Sequence, residues 1–442
     1  MPHLLYNIVS AAGMFVLMAL AWAMSGFRRP IPWRVILWGL GIQFVIAFLL
    51  FAIPAGRAAF VRLNDIVFAV MSCAGEGSRF LFGRLAIPPG AHGAGGEESL
   101  GFFLVFQALP TIVFFAALMG ALYYVGFMPW LVRQFARVFA RLMRVSGAEA
   151  LVAASNIFVG IESATAIRPY ISRMTRSELA TLLTAGMATI ASSVLGFYSV
   201  ILRPTFPMIA GHLISASLLS APAAILMAKL AVPETETPLT LGVEAHPCWE
   251  RESGLLEAVM NGAMAGMKLV GGIIAMLLAF LGIVALCDLA LSAAGGRLNA
   301  AFGWSFDWTL RNILGYAFRP LTLAIGVPVE DVPAIARVIG ERTIATEMTA
   351  YQDLASLLAS GGLVHPGRSA LLAVYALCGF AHVASLAIFA GGAAALAPER
   401  MKDISSVGPR ALAAATLACL LTACVAGVFH MPATESILLG SP

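Results

Sequence analysis

From about Met264 to Leu291 the chain runs for the width of a bilayer with only Lys268 and Asp288 charged. Hydrocarbon offers no partner to backbone N–H and C=O groups, so a run of this length folds as a helix that satisfies them internally. Similar runs recur along the chain. A hydrophobic fraction of 60% and only 11% charged residues, with a mean hydropathy of +0.90, leave too little polar surface to cover a soluble fold of 442 residues. The expectation is an all-α polytopic membrane protein.

Eight spans are expected: Leu4 to Ser25, Val35 to Pro54, Phe102 to Phe127, Leu179 to Val200, a fifth ending near Lys229, Met264 to Leu291, Ser369 to Leu396, and about Ala411 to Val428. Arg28 and Arg29 follow the first span and place its amino end outside, and both termini are expected there. Arg57 to Gly83 mixes charged and apolar residues as an interfacial helix does, and Trp304 to Ile325 reads as a second one on the outer side. Arg133, Arg137, Arg141 and Arg144 recur at helical spacing. That stripe reads as a helix on the anionic inner leaflet or as a solvated face, and both readings put it inside. The net charge of +4 gives no reason to expect nucleic acid, and the six cysteines show no metal-ligand or redox spacing.

Against this background the polar groups stand out. The run Ala148 to Ile167 contains Asn156, Gly160 and Glu162, with Arg144 before it and Arg168, Arg173 and Arg176 after it. Positive residues on both flanks put both ends on one side, so the segment reads as a re-entrant hairpin with its tip near Gly160 and Glu162. A carboxylate at the centre of a membrane helix costs about 2.5–3.5 kcal/mol, so Glu162 should face a cavity, a partner or a ligand.

Residues 328–364 repeat the pattern, with Arg342, Thr346 and Glu347 in the middle. Downstream, Gly186-Met-Ala-Thr-Ile-Ala-Ser192 aligns without gaps to Gly379-Phe-Ala-His-Val-Ala-Ser385, and an Arg-Ser pair precedes each copy at 176 and 368. The span count brings the first hairpin in from inside and the second from outside. Two such half-units form an inverted repeat, in which discontinuous helices meet near the bilayer midplane to hold solute and ion. Glu162 and Glu347 are then expected to approach each other. Plainer readings stay open: the two glutamates as caps or ion-pair partners within the hairpins, His382 as a core histidine, and Ser192, Ser193 and Ser385 as packing groups.

Several blocks in the same order resemble the concentrative nucleoside transporters. They are Phe106-Gln-Ala-Leu-Pro-Thr-Ile-Val-Phe-Phe115, Asn156-Ile-Phe-Val-Gly160 with Glu162-Ser163 and Arg168-Pro-Tyr170, Ala188-Thr-Ile-Ala-Ser-Ser-Val-Leu-Gly196, Tyr375-Ala-Leu-Cys-Gly-Phe-Ala381 and Leu396-Ala-Pro398. Gly340-Glu-Arg-Thr-Ile-Ala-Thr-Glu-Met-Thr-Ala-Tyr351 resembles the family's Gly-x-Lys-x-x-x-Asn-Glu-Phe-Val-Ala-Tyr.

The resemblance implies a homotrimer in a bacterial inner membrane, each protomer joining a scaffold to a moving transport part. Scaffold helices and an interfacial helix then occupy 1–127, the first transport half 128–262, further scaffold 263–327 and the second transport half 328–442. It also implies a sodium site at Asn156, the Val159 carbonyl, Thr189 and the Ile190 carbonyl, an oxygen-only set that suits a hard cation. Substrate contacts carry over to Glu162, Val194, Glu347, Phe380, His382 and Ser385. The implied activity is nucleoside import by sodium symport through alternating access.

Three departures bear on selectivity. The family's Gln-Thr-Glu is shortened to Ile161-Glu162, His382 stands where the family has Asn, and Arg342 and Thr346 replace Lys and Asn. A site that leaves polar groups unpaired rejects a ligand, so these changes alter which solute fits. The alternatives are a proton-coupled carrier of another small polar solute and an intramembrane enzyme. No nucleophile-elbow, zinc-binding or metalloprotease spacing supports the enzyme.

Overall fold

The computed structural model describes residues 2–89, 91–92, 96–160, 163–245 and 252–431, and the described residues are mostly helical, with no strand among them. The first part holds α1 (Pro2–Met24), α2 (Trp33–Ala47, continued by a π-helical turn over Phe48–Ala52), α3 (Pro54–Phe82), the short α4 (Leu104–Gln107) and α5 (Pro110–Tyr124). Next come the amphipathic α6 (Phe127–Met143), α7 (Gly147–Asn156), the short α8 (Ser163–Ala166) and α9 (Arg168–Ile171), α10 (Arg176–Ala188), α11 (Ser192–Leu202) and α12 (Ile209–Ala231). The remainder is α13 (Leu255–Phe302), α14 (Leu310–Ala324), α15 (Val332–Arg342), α16 (Glu347–Ala359), α17 (Pro366–Leu377), α18 (Val383–Leu396) and α19 (Met401–Val428).

Among the described residues, seven helical stretches are long and apolar enough to cross a membrane: those built on α1, α2, α3, α4–α5, α12, α13 and α19. The expected fourth and seventh spans are each broken in two, at Thr189–Ala191 between α10 and α11 and at Cys378–His382 between α17 and α18. Three expected boundaries shift. The third span's main helix begins only at Pro110, because Pro is accommodated in a helix's first turn and not in its interior. The sixth extends from Leu255 to Phe302. The helix expected from Trp304 begins at Leu310, where the Thr309 hydroxyl caps the Asn312 N–H.

Two units follow the same order: a helix–turn–helix pair, a broken helix and one long helix. The first is α7, α8–α9, α10–α11 and α12, and the second is α15, α16, α17–α18 and α19. The two long helices lie at the centre, with 89% of the apolar window of α12 and 83% of that of α19 buried, against 6% for α13. α13 packs on α5 through glycines. A Cβ at Gly262 would stand 2.5 Å from the Ala116 carbonyl oxygen, and one at Gly120 2.4 Å from that of Ala258, so only glycine lets the two backbones come this close.

Charged residues fasten one end of the first unit. Ser146 with Glu149, and Thr175 with Glu178, form capping boxes at the starts of α7 and α10. The Ser146 hydroxyl also donates to Glu178 Oε1 at 2.6 Å, and Lys229 Nζ of α12 lies 2.6 Å from Glu149 Oε1 and 3.1 Å from Glu234 Oε2. In the second unit Arg368 donates to the Gly326 and Tyr6 carbonyls, Asn7 Oδ1 and Ser10 Oγ, tying α17 to α1. The two Arg-Ser pairs thus differ, since Arg176 is exposed and bonded to Ser406.

Candidate functional site: a cavity between two broken helices

The breaks in α10–α11 and α17–α18 touch. A Cβ on Gly379 would lie 2.9 Å from the carbonyl carbon and oxygen of Ala188 and 2.6 Å from Cys419 Sγ, so the second break presses directly on the end of α10. Cys419 of α19 spans both, with its thiol 3.7 Å from the Ala188 oxygen and 3.5 Å from the Cys378 oxygen. Each turn of a helix pair docks on one break through a main-chain hydrogen bond. The Ser192 N–H donates to the Phe158 oxygen at 3.1 Å, and the Val383 N–H donates to the Thr343 oxygen at 3.2 Å.

A cavity of about 120 Å³ lies where these elements converge. Gly160, Ala191 and Val194 line it from the first unit, and Thr346, Glu347, Phe380, His382 and Ser385 from the second. Leu269, Ile273, Met276 and Leu277 of α13 close an apolar wall. A larger crevice of about 700 Å³ shares Gly160 and Leu269 with it and extends past Tyr123, Arg133 and Glu252.

Glu347 opens α16 and is 2% exposed. The Tyr198 hydroxyl of α11 donates to its Oε1 at 2.5 Å. Its Oε2 lies 2.8 Å from His382 Nε2, so the carboxylate and the imidazole form a buried pair. An ionised carboxylate has about four lone-pair sites, so Oε2 can also accept from a molecule in the cavity. His382 caps α18, its Nδ1 accepting from the Ser385 N–H at 3.2 Å, while Ser385 Oγ lies 2.7 Å from Nε2. Thr346 caps α16 by accepting from the Thr349 N–H at 3.5 Å.

Five expected contacts, Val194, Glu347, Phe380, His382 and Ser385, therefore line one cavity although nearly 200 positions separate the two units. Glu162 lies outside the described residues, and with it the expected approach of Glu162 to Glu347. Of the expected sodium ligands, Asn156 ends α7, its Nδ2 donating to the Val152 oxygen at 3.0 Å and its Oδ1 accepting from Ser163 Oγ at 2.9 Å. The Thr189 hydroxyl donates to the Ala185 oxygen at 2.9 Å, the Ile190 oxygen accepts from Ser217 Oγ at 3.3 Å, and Val159 lines the larger crevice. All four sit where the first turn docks on the first break. Sequence reasoning missed Tyr198 and the α13 wall. Tyr198 lies one helical turn beyond Val194, so it shares that residue's face, and this spacing was the available signal.

Family models described as the Na+ dependent nucleoside transporter N-terminus, nucleoside recognition gate and Na+ dependent nucleoside transporter C-terminus match residues 12–85, 105–205 and 212–427. Solute carrier family 28 member 3 of Mus musculus is 37% identical over 438 residues, which is 96% of this chain and 59% of that protein. The chain spans about three fifths of the length of the solute carrier family 28 member 3 relatives it matches. An uncharacterized transporter of Haemophilus influenzae is 37% identical over 423 residues, 95% of this chain and 97% of its own length. Among solved structures, CNTnw in an inward-facing substrate-bound state has a TM-score of 0.83 at 33% identity, covering 96% of this chain and 98% of that one. An outward-facing CNTnw variant has 0.84 at 32% identity, covering 96% and 97%. On the matches of all three models, on full-length identity to a bacterial transporter and on the shared fold, the chain belongs to the sodium-dependent nucleoside transporter family.

Proposed function

We propose that this chain imports nucleosides by sodium symport through alternating access, and that the cavity between the broken helices is its substrate site. The observation that carries this reading is the buried Glu347 carboxylate beside His382, at the polar end of a cavity whose opposite wall is apolar. A nucleoside has the same division. Its ribose hydroxyls donate to Glu347, with Ser385 and His382 beside them, and its flat base lies along Phe380, Val194 and the α13 side chains. Glu162 completes the first half of the site.

Sodium, as co-substrate, takes Asn156 Oδ1, the Val159 and Ile190 carbonyls and the Thr189 hydroxyl. These are oxygen groups on irregular backbone and at a helix end, the setting in which membrane carriers hold small cations. Binding there would tie the first turn to the first break and complete the cavity wall at Gly160. The crevice past Arg133 and Glu252, both inner-side residues on the charge pattern, is the route to the cytoplasm. One charge crossing 100 mV contributes about 2.3 kcal/mol, and a tenfold sodium gradient adds about 1.4 kcal/mol.

The helix pairs α7 with α8–α9 and α15 with α16 act as oppositely inserted re-entrant hairpins. Residues 128–262 and 328–442 move against a scaffold formed by 1–127 and 263–327. The exposed apolar length of α13 is the surface on which three copies associate, and the trimer sits in a bacterial inner membrane with both termini outside. The test is uptake of labelled nucleosides, bases and sugars by proteoliposomes under an inward sodium gradient, then under a proton gradient alone. Sodium-driven accumulation of nucleosides is expected. Accumulation driven only by protons, or only of another solute class, overturns the reading.

A further inference from the structure

A pocket of about 270 Å³ lies between α14 and α15 and shares no lining residue with the substrate cavity. Its place follows from the way the two helices cross. A Cβ on Gly315 would stand 3.2 Å from Arg337 Cα, and one on Gly340 2.9 Å from the Leu314 carbonyl carbon, so glycines let α14 and α15 pack backbone to backbone. Asn312, Gly315, Tyr316 and Arg319 recur at helical spacing on one face of α14, and Pro333 and Arg337 lie one turn apart on α15. The crossing therefore brings Arg319 and Arg337 to one pocket. On the expected topology α14 lies on the outer side.

The two guanidinium groups are not neutralised from within the protein. Among the described residues neither enters an ion pair, and the nearby carboxylates are engaged elsewhere. Asp307, in the same pocket, accepts from Asn312 Nδ2 at 2.5 Å, and Glu341, one turn along α15 from Arg337, pairs with Arg311 at 2.7 Å. Arg319 lies over the Tyr316 ring, 3.9 Å from its centroid. Such stacking uses the flat face of a guanidinium and leaves its N–H groups open in the plane. Two arginines against one aspartate leave the pocket a net positive charge. Cations facing one space repel each other, and a shared anion removes that repulsion. A carboxylate, with two oxygens, suits a single arginine fork, whereas a tetrahedral phosphate has oxygens enough to accept from both.

We propose that Arg319 and Arg337 form a phosphate-binding site, in which one phosphate group, carried by a free anion or by a phospholipid headgroup, bridges α14 and α15. Both sources present the same oxygens to the same two forks. The bridge fastens the second helix pair to the helix before it, away from the substrate cavity.

The experiment measures binding of radiolabelled inorganic phosphate to detergent-purified protein at fixed sodium concentration and ionic strength, with chloride as the balancing anion. A second arm measures retention of labelled phosphatidylglycerol against phosphatidylcholine. Saturable binding of phosphate, or preferential retention of phosphatidylglycerol, is expected, and the arm that responds identifies the source. In that arm Arg319→Gln and Arg337→Gln are each expected to weaken binding about tenfold or more, the loss of a charge-assisted hydrogen bond. Asp307→Asn removes the one negative charge and is expected to tighten binding about threefold. Circular dichroism of each variant reports folding. Wild-type protein that binds in neither arm overturns the proposal, and so does weakening confined to one folded arginine variant or seen in neither. Should the arginine variants not fold, Asp307→Asn decides: tighter binding upholds the site, and unchanged or weaker binding overturns it.

Discussion

Replacing Glu347 with Gln tests the centre of the proposed site with almost no change of shape. The carboxamide oxygen can keep the 2.5 Å bond from Tyr198, while an NH2 group takes the place of Oε2. An acceptor is thereby exchanged for a donor at the position proposed for the ribose hydroxyls. A hydrogen bond to an ionised group contributes about 1.5–3 kcal/mol net, so affinity is expected to fall about tenfold to 150-fold. The substrate-free protein is expected to lose stability as well, because a carboxamide NH2 replaces the carboxylate oxygen 2.8 Å from His382 Nε2 and removing one partner of a buried pair is destabilising. The assay is equilibrium binding of labelled uridine in saturating sodium, with the melting temperature of the substrate-free protein measured alongside. Affinity within about twofold of wild type refutes the assignment of Glu347 as a ligand contact, since even one such bond exceeds that difference.

Three further substitutions test separate links. His382→Asn keeps a cap for α18 but is too short to reach Glu347, so nucleoside binding should strengthen relative to other polar solutes at unchanged stability, and an unchanged order of preference in competition binding makes the histidine structural. Lys229→Met strands Glu149, which is 0% exposed, and should destabilise the protein by about 3–5 kcal/mol; a melting temperature within about one degree of wild type refutes the clamp. Gly379→Ala forces the two breaks apart and should cost about 1–3 kcal/mol in thermal unfolding. Adding Cys419→Ala should recover only part of that loss, because the Ala188 backbone contact remains, and full recovery contradicts the proposed contact between breaks.

Much was legible in the chain because lipid imposes a simple rule. Apolar runs of bilayer length gave the helices, and the rarity of charge among them singled out Glu347 and His382, which the structure buries in one cavity. Turn and cap chemistry was local enough to read in part. Proline at the start of α5 and Thr309 at the start of α14 set boundaries that the apolar pattern alone placed too early. The internal repeat marked both breaks, though the second begins earlier in the aligned register than the first.

What the sequence by itself determined was the class of fold and the division into two like units, because both follow from periodicity or from the cost of polarity in hydrocarbon, and, through the family resemblance, five of the residues lining the cavity. What only the tertiary structure decided were relations across the chain: the Tyr198 hydroxyl on Glu347, the wall contributed by α13, the contact of Gly379 with Ala188, and the burial of Arg342 against the Ala376 carbonyl. A side chain's cost can be judged from its own neighbourhood. Its partner, or the lack of one, is fixed only when segments distant in sequence are packed to atomic contact.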